Sequence, residues 1–168
     1  SLVWCGWRSL VWQVRDGKRK ETEEDVSVWT FDKTDLSKKD RRGGPIKDKD
    51  VIEAVYQLML KDMKTLEECK GSPGTLQMIE IVEEGKNALV FLTEPIVCSL
   101  QDSLCNFDNI PNGPSLHKES FEANGAISEM EISRGVCQVV EALQSLHTRQ
   151  GRLHCNLTPE SVVVTCSG

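Results

Sequence analysis

Residues 25–31 alternate, with Val26, Val28 and Thr30 on one side and Ser27, Trp29 and Phe31 on the other. A period of two sends successive side chains to opposite faces of an extended chain, so this stretch predicts a β-strand. Residues 10–14 offer a partner strand, and Asp16-Gly17 supplies a turn signal in the charged connection between them. From residue 50 the period lengthens. Val51, Val55, Leu58, Met59 and Met63 recur at helical spacing and predict a helix over 50–66, with Asp50 and Glu53 as its cap. Residues 76–82 and 87–93 read as a hairpin around Glu84-Gly85. A second amphipathic helix is predicted over 128–147 from Ile132, Val136, Val139, Val140, Leu143 and Leu146. Ser128 and Glu131 form its capping box, and Gly151 marks its exit. The β-branched run Val162, Val163 and Val164 suits a short buried strand. Separate strand and helix runs give an α+β class.

Composition narrows the function classes. At 168 residues, 39% hydrophobic and 27% charged, the chain is long enough for one core. A formal net charge of −6 argues against a nucleic-acid partner, which would want a basic face. The basic runs Lys18, Arg19, Lys20 and Lys38, Lys39, Arg41, Arg42 are flanked by acids and read as solvated loops. The cysteines at positions 5, 69, 98, 105, 137, 155 and 166 have no C-x-x-C spacing, as expected for reduced thiols. His117, His147 and His154 do not cluster with them, so no metal site is expected. The apolar residues 1–12 are interrupted by Arg8, and no run approaches the roughly 18 residues of a membrane span.

Residues 154–161 carry the chemistry: His-Cys-Asn-Leu-Thr-Pro-Glu-Ser. A protein kinase has H-R-D-L-K-P-E-N in this frame, with Asp as the base and the final Asn as a magnesium ligand. Here Asn156 replaces the base, Thr158 the lysine and Ser161 the metal-binding asparagine. An amide oxygen has no useful basicity near neutral pH, so Asn156 cannot serve as a general base. His154 is read as the structural histidine of the loop. Its neighbour Cys155 makes no nucleophilic pair with it, because adjacent residues of an extended loop point apart.

The same frame extends upstream. Val26-Ser27-Val28-Trp29 stands where a kinase has V-A-I-K, so Trp29 occupies the position of the phosphate-binding lysine. The glycine-rich template falls on Trp4, Gly6, Ser9 and Val11, which keeps a single glycine and is no phosphate cradle. Counting back from Pro73 puts Met63 at the position of the helix glutamate that would pair with that lysine. Asp62 and Glu67 beside it read as solvated charges. Thr93-Glu94-Pro95-Ile96 fits the lobe-connecting hinge, with Thr93 guarding the back pocket and the backbone of Glu94 and Ile96 facing any adenine.

The stretches S-L-V-W-Q-V, V-S-V-W-T-F-D-K, T-E-P-I-V-C-S-L-Q-D-S-L and L-H-C-N-L-T-P-E-S resemble the Scyl family of pseudokinases, and most of all its subgroup associated with clathrin-coated vesicles. Ser161 departs from that subgroup, much of which keeps Asn there. Residues 34–49 and 106–126 are variable inserts in this comparison. The resemblance implies a protein-kinase-like fold truncated before the D-F-G segment: a small lobe over 1–93, a hinge over 94–97 and the start of the helical large lobe over 98–168. It implies a catalytically degraded kinase domain acting as a scaffold in clathrin, Golgi and endosome trafficking. Such a protein is cytoplasmic and peripheral to those membranes, and it meets clathrin or adaptor partners through regions outside this chain. No cofactor is then expected. The alternative is residual ATP binding at the hinge, or weak Ser/Thr kinase activity. The helix over 128–147 would have an apolar face left uncovered within this stretch.

Overall fold

The computed structural model describes residues 2–4, 12–38, 46–101, 129–155 and 157–165. Strands β1 (Leu2–Trp4), β2 (Gln13–Lys18) and β3 (Asp25–Asp32) are followed by helices α1 (Lys33–Lys38) and α2 (Lys49–Glu68). Strands β4 (Met78–Glu84), β5 (Ala88–Thr93) and β6 (Ile96–Ser99) come next. Helix α3 (Glu129–Arg149), a 3-10 turn (Pro159–Ser161) and strand β7 (Val162–Thr165) complete the described order. One antiparallel sheet runs β2-β3-β5-β4 and a smaller one runs β1-β7-β6. An antiparallel sheet with a packed helix, followed by a helical segment, is an α+β protein-kinase-like architecture.

The alternation in β3 explains why it is central. Ser27, Trp29 and Phe31 are all buried, and β3 pairs with β2 on one side and β5 on the other. Trp12 meets the rings of Trp29, Phe31 and Phe91 edge-on at 6.5, 6.0 and 5.0 Å. Each such contact adds about 0.5–1.5 kcal/mol to what area burial alone supplies. Helix α2 lays Tyr56, Met59, Met63 and Leu66 on this cluster, three or four residues apart along one stripe. The Tyr56 hydroxyl donates to Gly85 O at 2.6 Å and so ties the helix to the β4–β5 turn.

Several expectations shift. Asp16 and Gly17 are not the turn. They pair with Ser27 and Val26 inside β2 and β3, and the chain reverses through Arg19–Glu24, where Glu23 has φ of 57°. A Cβ on Gly17 would lie 2.8 Å from a methyl of Val28, so glycine serves a close cross-strand contact there. The predicted partner strand begins later, at Gln13, and residues 10 and 11 lie outside the described region. Asp48, not Asp50, caps α2, accepting from the Asp50 amide at 2.9 Å. Val51 and Leu58 face outward because the buried stripe runs through Tyr56 and Leu66. Helix α1 starts at Lys33 and runs into the insert expected over 34–49, and β6 had no pattern of its own in the sequence.

Helix α3 behaves as anticipated for its apolar side. Leu146 is buried, whereas Ile132, Val136 and Val140 are exposed. Ser128, half of its expected capping box, lies outside the described residues. Among the described residues no helix is long and apolar enough to cross a membrane.

Candidate functional site

The candidate site lies where β3, the β5–β6 connection and the loop before β7 come together. Trp29, expected from the sequence at the kinase lysine position, is wholly buried. Its ring stacks on Phe91 at 5.6 Å and 6° between planes, a pair set by their direct register across β3 and β5. The indole Nε1 donates to Thr93 Oγ1 at 2.9 Å, and that hydroxyl donates to Glu94 O at 3.0 Å. A buried indole N–H needs such an acceptor, and Thr93 supplies it one strand away.

The backbone of the expected hinge is engaged from within the protein. The Glu94 amide donates to Gln77 O at 3.0 Å, and the Glu94 carboxylate accepts from the Gln77 amide at 3.0 Å. The Ile96 amide donates to Ser27 Oγ at 3.0 Å in a buried contact. Sequence reasoning missed Ser27. Its place on the Trp29 face of the strand was readable, but its partner 69 residues away was not.

Met63, expected from the sequence at the position of the helix glutamate, is buried in the same apolar cluster as Trp29. Lys33, the first lysine after β3, is committed elsewhere. Its Nζ lies 2.6 Å from Glu53 Oε2 and 3.9 Å from the centre of the Tyr56 ring. Asp62 is not simply solvated, since burial pushes its carboxyl up to about 6 against an opposing pull from Lys61. Glu67 lies 3.7 Å from Lys64 on the α2 surface.

In the octet, Asn156 lies outside the described residues, as do Gly6, Ser9 and Val11 of the glycine-loop template. Trp4 of that template is in β1, opposite Val162. Thr158 opens the 3-10 turn. Ser161 is buried, accepts from the Thr158 amide at 2.9 Å and donates to Thr158 O at 2.8 Å. The Ser161 hydroxyl, expected at the metal-asparagine position, therefore closes its own turn. Cys155 is exposed with φ of 59°, a left-handed backbone uncommon for a side-chain-bearing residue, while His154 turns inward. His154 borders an apolar hollow together with Leu146, Leu157 and Val162. Burial, with the nearby His147 charge, pushes its imidazole down to about 4, so it is neutral at physiological pH. Among the described residues no group of three His, Cys, Asp or Glu comes together as a metal site.

No family model matches the chain. Curated relatives do. The protein kinase domain-containing protein ppk32 of Schizosaccharomyces pombe is 34% identical over 164 residues, covering 94% of this chain and 21% of that protein. SCY1-like protein 2 of Homo sapiens is 29% identical over 163 residues, 97% of this chain and 16% of its own length. The protein kinase-like protein SCY1 of Saccharomyces cerevisiae is 25% identical over 163 residues, 91% of this chain and 19% of its own length. The chain thus spans about a fifth or less of the relatives it matches. With a kinase-like sheet and helix order, and relatives of this kind along nearly all of its length, the chain is a protein-kinase-like segment related to the SCY1-like proteins.

Proposed function

We propose that this segment is a pseudokinase: a kinase-like domain that transfers no phosphoryl group and serves as a scaffold. The observation that carries this reading is Trp29, uncharged, wholly buried and hydrogen-bonded to Thr93 where a kinase presents its lysine. Phosphoryl transfer is chiefly positioning and charge neutralisation, and a buried indole can supply neither. Asn156 in place of the base, Thr158 in place of the loop lysine and Ser161 turned onto its own backbone add to the same reading. No cofactor is assigned. The division into a small lobe over 1–93, a hinge over 94–97 and the start of a large lobe over 98–168 is part of this proposal.

The scaffold role is placed in clathrin and Golgi or endosome trafficking, on the cytoplasmic side and peripheral to the membrane, with clathrin or adaptor proteins as partners bound outside this stretch. Similarity to SCY1-like protein 2 supports the family context for it. The direct test is transfer of labelled phosphate from ATP with magnesium or manganese to the protein itself and to generic peptide substrates. No transfer above a heat-treated control is expected. Transfer that vanishes with Asn156→Ala or Thr158→Ala would overturn the pseudokinase reading. Co-sedimentation with isolated coated vesicles of a protein that carries this segment within its whole length, absent for vesicles stripped of their coat, checks the trafficking role.

A further inference from the structure

Ser27 and Ile96 are 69 residues apart and both are almost wholly buried. Ser27 stands opposite Thr93 in the β3–β5 ladder, so its hydroxyl emerges beside the chain as that chain leaves β5. The Ile96 amide, the first of β6, points back and donates to it at 3.0 Å. An amide nitrogen carries a single proton, whereas a carbonyl oxygen has two lone pairs. The Ile96 amide is therefore fully spent on Ser27.

A purine that binds along this edge needs one free N–H and one free C=O on the same stretch of backbone. It also needs room, about 3.5 Å from ring to neighbouring atoms on each face. Between β3 and β6 the amide is already taken. Ser27 Oγ and Ile96 N are in direct contact, and Val163 of β7 is wholly buried in the same apolar cluster as Trp29 and Ile96. The two sheets meet here with a hydrogen bond where a planar ligand would otherwise lie.

We infer that Ser27 is an internal latch on this edge: its hydroxyl oxygen takes the place of a purine ring nitrogen as acceptor for the Ile96 amide and holds β3 against β6. Trp29 removes the charge that phosphates would need. Ser27 separately removes the edge that an adenine would need, so it closes the cleft even to an uncharged nucleoside. The inference rests on the kinase-like reading of residues 93–96, and adenosine, which has no phosphate, tests it apart from phosphoryl transfer.

The experiment follows the Ile96 amide resonance of the full chain, wild type and Ser27→Ala, by hydrogen exchange and by titration with millimolar adenosine. In the wild type the amide is expected to exchange slowly and its resonance to stay in place. In S27A exchange should quicken by roughly tenfold, the effect of losing about one net hydrogen bond, and adenosine should shift the resonance saturably. An adenosine-induced shift in the wild type would overturn the latch, as would S27A exchange as slow as the wild type's. Faster exchange in S27A with no response to adenosine would also overturn it, since something other than Ser27 would then close the edge. Should S27A fail to fold, the wild-type arm still decides: a fast-exchanging or adenosine-responsive Ile96 amide is incompatible with the latch. A wild type that binds adenosine but transfers no phosphate removes the latch alone, whereas phosphate transfer removes the pseudokinase reading.

Discussion

Arg152, in the loop after α3, places a guanidinium nitrogen 3.0 Å from the Glu68 carboxylate at the end of α2. The same guanidinium donates to the Thr65 hydroxyl, which itself donates to Lys61 O at 2.8 Å within the helix. Gln150 adds a contact from its side-chain amide to Glu68 O at 3.3 Å. Helix α2 has no basic residue in its own last turn, so the cation that its C-terminal dipole favours comes from the α3 side of the protein.

Removing this clamp should loosen α2 from the loop that carries the octet. Arg152→Ala is expected to lower stability by about 1 kcal/mol, with the exposure of both partners limiting the effect. A double-mutant cycle with Glu68→Ala should return a coupling of about 0.5 kcal/mol that shrinks at high salt. Arg152→Lys should recover part of the loss, because an ammonium lacks the fork that reaches Thr65 and Glu68 together. Denaturant unfolding of the five proteins measures all of this. A coupling unaffected by salt would mean that the contact works by packing.

Gly71 and Gly74, at the turn between α2 and β4, make a second comparison. Both have positive φ, at 79° and 65°, so alanine is strained at either. Only Gly74 is also crowded: a Cβ there would sit 2.4 Å from Gln138 O and 3.1 Å from the Ala142 Cβ on α3, while at Gly71 it would meet nothing within 4 Å. Gly71→Ala should cost about 1 kcal/mol from backbone strain. Gly74→Ala should cost about 3 kcal/mol or more, since a backbone carbonyl must move. Equal losses in chemical denaturation would mean that the connection does not press on α3 as described.

What the sequence made legible follows from range. The β3 alternation, the α2 and α3 periodicities and the valines of β7 are local patterns, and each became an element within a few residues of its expected bounds. The octet could be read as one motif because it is contiguous, though Asn156 lies outside the described residues. The turn after β2 was misplaced because Gly17 can serve either a reversal or a tight cross-strand contact, and a single strand does not say which. The inward stripe of α2 was partly misassigned because Tyr56 looks amphipathic until Gly85 O is there to receive its hydroxyl. Ser27 with Ile96 and Arg152 with Glu68 were illegible, since each joins segments tens of residues apart by one polar contact with no periodic signature.

Restoring the expected lysine should not restore a kinase. Trp29 is wholly buried, and Met63 of α2 lies in the same apolar cluster. Trp29→Lys therefore places an ammonium among aromatic rings with no carboxylate at that helix position, at a cost on the order of 4 kcal/mol or more. Trp29→Phe keeps an aromatic ring for Phe91 but leaves Thr93 without its indole donor and opens a small cavity, at about 1–3 kcal/mol. The expected order of melting temperatures is wild type, then Trp29→Phe, then Trp29→Lys. A folded Trp29→Lys protein that is stabilised by ATP would show that the cleft is closed by this one side chain.

Asp62 and His154 should tilt the pH dependence of stability in opposite directions. Burial raises the Asp62 carboxyl from 3.8 to about 6, so its contribution is fully present below 3.8 and is lost as pH rises through 6. The His154 imidazole is lowered from 6.5 to about 4, so its contribution is present above 6.5 and is lost as pH falls through 4. Between these limits the two slopes oppose each other, and their joint contribution should be nearly flat. Asp62→Asn removes one slope. It should leave stability near pH 4 almost unchanged, raise it at pH 7.5 by on the order of 2 kcal/mol, and make the protein weaken on acidification. His154→Gln removes the other, so stability should fall as pH rises from 4 to 6.5. Urea midpoints at pH 4, 5, 6 and 7.5 for the three proteins read out both effects. Parallel profiles for wild type and Asp62→Asn would mean that the Asp62 carboxyl is solvated after all, as the sequence alone suggested.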